Sequence, residues 1–182
     1  MEILVTVAIG VALIVASITD IRSQRIYNWL TFPLILAGFA THTVFGGMAG
    51  LKFAAGGFAL GFVAMAIPYF FGAMGAGDVK LMAGVGAWLG VEATFVAFLF
   101  TCIAGGVYCI VVLVRDPSLF MRAMRNIWNT LYVLVATRKM NFAPTSSGQA
   151  LPRLCYGVAI AVGTAAAMAL SALQTGSIYA GY

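Results

Sequence analysis

The sequence predicts an all-α membrane protein, and three observations carry that prediction. Of its 182 residues, 63% are hydrophobic and only 8% charged, whereas water-soluble domains run at about a quarter charged. Mean hydropathy is +1.03, more apolar than one aqueous core can bury, so lipid is the solvent for most of the chain. The apolar residues also fall in six runs, roughly 2–19, 29–47, 51–73, 79–91, 93–114 and 154–174, and about 20 such residues cross a bilayer. The expected architecture is a single membrane-embedded domain, 1–182, of six transmembrane helices plus one interfacial amphipathic helix.

The first run, Ile3 to Thr19, lacks a basic leader because Glu2 precedes it, and no small-residue cleavage site follows. It reads as a retained helix and not as a signal peptide. His42, alone in the second run, reads as a hydrogen-bonded bundle residue. The fourth run has thirteen residues, about 20 Å of helix against a core of about 30 Å. It continues through the preceding loop, tilts, or dips part-way. Cys102 and Cys109 lie in the fifth run and, with Cys155, form no C-x-x-C pair. Neither a zinc site nor a disulfide framework is suggested.

Residues 116–140 have a different pattern. Asp116 can cap a helix whose first position is Pro117, a favoured pairing at helix starts. Phe120, Met124, Ile127, Trp128, Leu131 and Val135 then share one face, with Arg122, Arg125, Asn126 and Asn129 on another. Such a helix lies on a membrane surface, its basic face toward anionic lipid headgroups; binding a protein partner is the alternative use. A polar, turn-rich linker, 141–153, leads to the sixth run.

The net charge is +5, but the positive residues form no continuous stripe, so no nucleic-acid partner is expected. Their distribution sets the topology instead. With both termini outside, Arg22, Arg25, Lys80, Arg115, Arg122, Arg125, Arg138, Lys139 and Arg153 all fall inside, and only Lys52 outside. That asymmetry fits the positive-inside rule for a multi-pass protein of the plasma (inner) membrane. Asp20 and Asp78 then share the cytoplasmic face.

These are two of only three aspartates in the chain. Asp78, in "GAGDVKLMAG", has a simple structural use, which is to cap the helix that follows it. Asp20 has less excuse. It ends the first run, where a carboxylate faces the negative end of the helix dipole, and surface pairing with Arg22 or Arg25 would contribute little. Ionisable groups at the edge of a membrane bundle are functional candidates. Brought together, two carboxylates hold one proton between them. The ionised partner can take a proton from a water attacking a peptide carbonyl, while the other protonates the leaving nitrogen. Gly75 and Gly77 would let backbone approach an extended substrate strand.

Three segments together resemble the type IV prepilin peptidases, membrane aspartyl proteases with a G-x-G-D motif. "TDIRSQRIYNWLT", 19–31, is similar to the family's first catalytic segment, and "GAGDVKLMAGVGAWLG", 75–90, to its second. "PRLCYGVAIAVG", 152–163, resembles its late proline–aromatic–glycine segment. They occur in the family's order. Two positions depart from the pattern, Tyr27 and Cys155, where proline is expected; each change frees φ and adds a backbone donor.

The resemblance implies an aspartic endopeptidase with Asp20 and Asp78 as catalytic residues and no metal or organic cofactor. Gly75, Gly77, Lys80 and Asn28 would support the catalytic loops, Lys80 by orienting Asp78 or by snorkelling to headgroups, Asn28 by bonding the loop near Asp20 or capping the second span. The implied substrate is a prepilin or pseudopilin whose short basic leader is cut at the cytoplasmic membrane face. The loop "RSQRIYN" is short and no glycine-rich nucleotide motif appears. The expected branch is therefore the short, peptidase-only one, without a methyltransferase domain, similar to those of tight-adherence pili. Rival readings are a preflagellin or other G-x-G-D intramembrane protease, or a non-enzymatic pilus-assembly or transport subunit in which the two aspartates bind a cation or a basic partner.

Overall fold

A computed structural model of the chain describes residues 1–70, 74–115, 128 and 155–175. They form α1 (Glu2–Ser23), α2 (Asn28–Phe70), α3 (Ala76–Arg115) and α4 (Tyr156–Thr175), with no strand among the described residues. All four helices are long and apolar enough to cross a membrane. The chain divides into two compact units, Met1–Gly106 with Leu154–Tyr182, and Val107–Arg153. In the second unit the described residues are the end of α3 and Trp128, which is helical and exposed. The expected interfacial helix, 116–140, lies outside the described residues except for Trp128, and so does the linker 141–153.

In α1, Val5, Ile9, Ala12, Leu13, Ala16 and Asp20 form one buried stripe at helical spacing. The opposite face exposes Ile3, Val7, Val11, Ile14 and Ile18. A helix apolar on both faces is at home in lipid. It runs on past Thr19 to Ser23, so Asp20 sits within its last turn. It stops where Gln24 takes a left-handed conformation, φ 50° and ψ 37°, and donates its N–H to the Asp20 carbonyl at 2.8 Å.

Against six expected spans, then, the described residues hold four spanning helices, two of them unusually long. Each long helix is broken by a glycine. Gly47 in α2 has φ 57° and ψ −136°, and Gly90 in α3 has φ 76° and ψ −176°, a region that favours glycine. At Gly47 the chain doubles back. Gly50 lies against the His42 backbone, and the rings of His42 and Phe53 stand 4.9 Å apart, those of Phe39 and Phe58 5.6 Å apart.

The first arm of α3 forms the centre of the bundle, with every residue from Leu81 to Gly90 buried. Its small residues explain how neighbours come so close, since they let backbones approach without side chains between them. Gly86 lies backbone-to-backbone against Gly57, and Met82 against Gly61. Gly84 meets Leu34, while Ala87 and Trp88 meet Gly38. Two buried side chains here bond backbone carbonyls across the helices. Trp88 Nε1 donates to the Leu34 carbonyl at 2.8 Å, and His42 Nε2 donates to the Trp88 carbonyl at 3.0 Å. His42 is thus a bundle residue. Further along α3, Thr101 and Gly105 pack on Gly163 and Tyr156 of α4, which also lies beside α1.

Candidate active site

Asp20 is only 5% exposed. Its Oδ2 accepts the Gly157 N–H at 2.8 Å, so the first turn of α4 supplies a donor to a carboxylate in the last turn of α1. That turn also places Cys155 Sγ at 3.8 Å from the Asp20 carbonyl oxygen. The cysteine standing where proline is expected is therefore in contact with the site.

Asp78 is 8% exposed and lies at the third position of α3, because the helix begins at Ala76. Its Oδ2 accepts the Gly75 N–H at 2.9 Å, and its own N–H donates to the Gly75 carbonyl at 3.2 Å. This is the side-chain half of a capping box. The structural use expected of Asp78 is thus present, but it occupies one oxygen only. Neither Asp20 Oδ1 nor Asp78 Oδ1 has a hydrogen-bond partner among the described residues.

Ile26, in the turn between α1 and α2, packs beside the surroundings of both carboxylates. A side-chain carbon at Gly77 would stand 2.9 Å from Ile26 Cβ and 3.0 Å from its carbonyl oxygen; one at Gly157 would stand 3.2 Å from Ile26 Cδ1. One side chain therefore packs on the neighbour of Asp78 and on the donor to Asp20. The two aspartates, 58 positions apart in sequence, share one locality.

Of the expected supporting residues, Gly75 is the donor to Asp78, and beside it a Cβ would meet nothing closer than Asp78 Oδ2 at 3.4 Å. The room at Gly77 is taken by Ile26. Lys80 donates from Nζ to Asn28 Oδ1 at 2.8 Å and stands 5.0 Å from the Phe32 ring centroid. Lys80 and Asn28 thus bond each other, joining the start of α2 to the first turn of α3. Among the described residues no three His, Cys, Asp or Glu side chains gather closely enough to hold a metal.

Sequence reasoning did not single out Ile26 or Gly157. Ile26 is one apolar residue among many. Gly157 lies inside the third resembling segment, so that segment was the available signal, but its contact with Asp20 leaves no mark on spacing or composition.

Two buried carboxylates lie in one locality, each anchored through a single oxygen, which leaves the other oxygen of each for a proton or a ligand. The comparisons with known proteins agree in kind. The profile of the type IV leader peptidase family matches residues 7–110, a stretch holding both aspartates. The chain is also similar to the prepilin leader peptidase/N-methyltransferase of Bacillus subtilis (strain 168), 35% identical over 99 residues. That match covers 53% of this chain and 39% of the relative, so the chain spans about two fifths of the relative's length. No solved structure matches. With more than half of its length inside the family profile, this helical membrane protein belongs to the type IV leader peptidase family.

Proposed function

We propose that the protein is an aspartic endopeptidase that removes the short basic leader of a prepilin or pseudopilin, using Asp20 and Asp78. The observation that carries the reading is the pair itself: two buried carboxylates, each held by one backbone N–H, with Ile26 packed on the neighbour of one and the donor of the other. Family membership and the prepilin leader peptidase of B. subtilis support the substrate class. In the reaction, one ionised carboxylate takes a proton from water as its oxygen attacks the scissile carbonyl. The protonated partner polarises that carbonyl and then protonates the leaving nitrogen.

Six membrane crossings accompany this reading. As straight rods, α2 and α3, with 43 and 40 residues, would reach about 65 and 60 Å, twice a bilayer core of about 30 Å. Broken at Gly47 and Gly90, each is read as two membrane segments. The short one is the first arm of α3 from Ala76 to Gly90, about 22 Å of helix, which tilts or dips part-way. Six crossings return both termini to one side, and the distribution of Lys and Arg puts the two aspartates on the cytoplasmic side. There a basic leader would emerge beside an apolar helix still in the bilayer, with anionic headgroups as neighbours.

The test is cleavage of a prepilin in reconstituted vesicles, with chelator present, by wild type, Asp20→Asn and Asp78→Asn. Asparagine keeps an acceptor oxygen for the Gly157 and Gly75 N–H groups, so the fold should survive. Each single variant is expected to lose about 10²–10⁴-fold in rate. Wild-type cleavage by either folded variant would refute the two-aspartate mechanism.

A further inference from the structure

The local backbone does not explain why residue 157 is glycine. Gly157 lies in the first turn of α4 and carries no positive φ, and glycine disfavours a helix by about 1 kcal/mol relative to alanine. Its surroundings explain it better. A Cβ at 157 would stand 3.0 Å from Asp20 Oδ2, 3.1 Å from Asp20 Cβ and 3.2 Å from Ile26 Cδ1. By contrast, a Cβ at Gly10 or Gly106 would meet nothing within 4 Å. Glycine lets this backbone donate to Asp20 at 2.8 Å without displacing the carboxylate or Ile26, which a Cβ would push aside by a few tenths of an ångström.

The contact answers a specific electrostatic need. Asp20 stands in the last turn of its own helix, where unpaired carbonyls gather and a carboxylate is disfavoured. The start of α4 presents the opposite: backbone N–H groups with no partner inside their helix. One of them is spent on Asp20 Oδ2. With that oxygen fixed, carboxylate rotation is restrained and Oδ1 is left for water or the second carboxylate. Ile26 ties the same turn to Gly77, beside Asp78, so a shift at 157 reaches both acids.

We propose that the first turn of α4 is part of the catalytic apparatus, with Gly157 as the positioning residue that orients the Asp20 carboxylate toward Asp78. This rests on Asp20 being one of the catalytic pair. Gly157 acts through the carboxylate it bonds, and through Ile26 a shift at 157 is felt beside Asp78 as well. A positioning group of this kind is felt in turnover and not in substrate binding.

The experiment measures kcat and KM for prepilin cleavage, per folded enzyme, in five proteins: wild type, Asp20→Asn, Gly157→Ala, Gly157→Ala with Ile26→Val, and Gly38→Ala. Gly157→Ala keeps the N–H but forces the carboxylate aside by a few tenths of an ångström. A fall of about tenfold in kcat is expected, with KM within about twofold, since small misplacements at a reacting group are costly. Ile26→Val removes Cδ1 and gives the new methyl room, so the double variant should recover about threefold while staying below wild type. Gly38→Ala is the matched control. Its Cβ meets Ala87 Cβ and Trp88 at 3.1 Å, equally tight but on another helix pair, so stability should fall with kcat per folded enzyme unchanged.

If Asp20→Asn is inactive while every folded variant at 157 keeps wild-type kcat, Gly157 is only a packing residue and the assignment is overturned. If Asp20→Asn itself cleaves normally, the two-aspartate reading fails first and takes this one with it. Should Gly157→Ala not accumulate, the double variant carries the test alone: kcat below wild type at unchanged KM supports the role, and wild-type kcat overturns it.

Discussion

Gly61→Ala tests how the bundle is held together. At Gly57 and Gly61 the second arm of α2 lies backbone-to-backbone on the first arm of α3, and a Cβ at Gly61 would fall 2.5 Å from the Met82 carbonyl oxygen. It would also stand 3.0 Å from that carbonyl carbon and 3.2 Å from Ala83 Cα. Ordinary contact begins at about 3.4 Å, so the oxygen must recede by roughly 0.9 Å. All three atoms are helix backbone and cannot move singly; the arm must slide or tilt as a unit. Such overpacking costs about 1–3 kcal/mol, and the better helix propensity of alanine returns up to about 1 kcal/mol. A net loss of about 1–2 kcal/mol lowers the melting temperature by about 2–8 °C in a chain of this size. Trp88 is buried in the same arm and reports unfolding by its fluorescence in detergent. Gly10→Ala, where nothing stands within 4 Å, serves as the control and should melt no lower than wild type. If Gly61→Ala melts as high as Gly10→Ala, close backbone packing does not organise this bundle.

Lys80→Met removes the bond to Asn28 and the contact with Phe32, and stability should fall by about 1 kcal/mol. Because Lys80 is engaged with those residues, kcat should stay within about threefold; a hundredfold loss would mean that Lys80 acts on the reaction. Gln24→Gly relieves a left-handed conformation at φ 50°, which costs a non-glycine residue about 1 kcal/mol. The melting temperature should rise by about 2–4 °C, and a fall would show that the glutamine side chain contributes more than its strain costs. The two aspartate variants and Gly157→Ala complete the set, read by prepilin cleavage as described above.

Helical membrane character was legible because it follows from composition, which no tertiary contact can reverse. Helix ends were less so. The first run appeared to stop at Thr19, yet α1 continues to Ser23 because Gln24 takes a left-handed cap that is normally signalled by Gly or Asn. The fourth run gains a first turn written in Ala76, Gly77 and Asp78, which hydropathy scores as loop, and still reaches only about 22 Å before the break at Gly90. Asp20 and Asp78 stood out as rare charges at the ends of apolar runs. What surrounds them did not. The donor to Asp20 is a main-chain N–H that any residue but proline could supply, and the requirement for glycine there comes from a carboxylate far away in sequence. The bond between Lys80 and Asn28 was hidden for the same reason: each residue had a plausible local use, capping or snorkelling, and their meeting depends on how two helix starts converge.

The bond from Gly157 to Asp20 spans 137 residues, and that separation is also an interval of time. At about 5–20 residues per second of synthesis, roughly 7–27 s pass between the making of the acid and the making of its donor. Asp78 follows Asp20 by 58 residues, so for the last 79 residues of that interval, from 78 to 157, roughly 4–16 s, both aspartates exist on the nascent chain while one lacks its anchor. The proposed protease is therefore assembled in an inactive order. On the proposed mechanism, a chain stalled before α4 carries both acids without the donor to Asp20, and the site is complete only once α4 has docked beside α1.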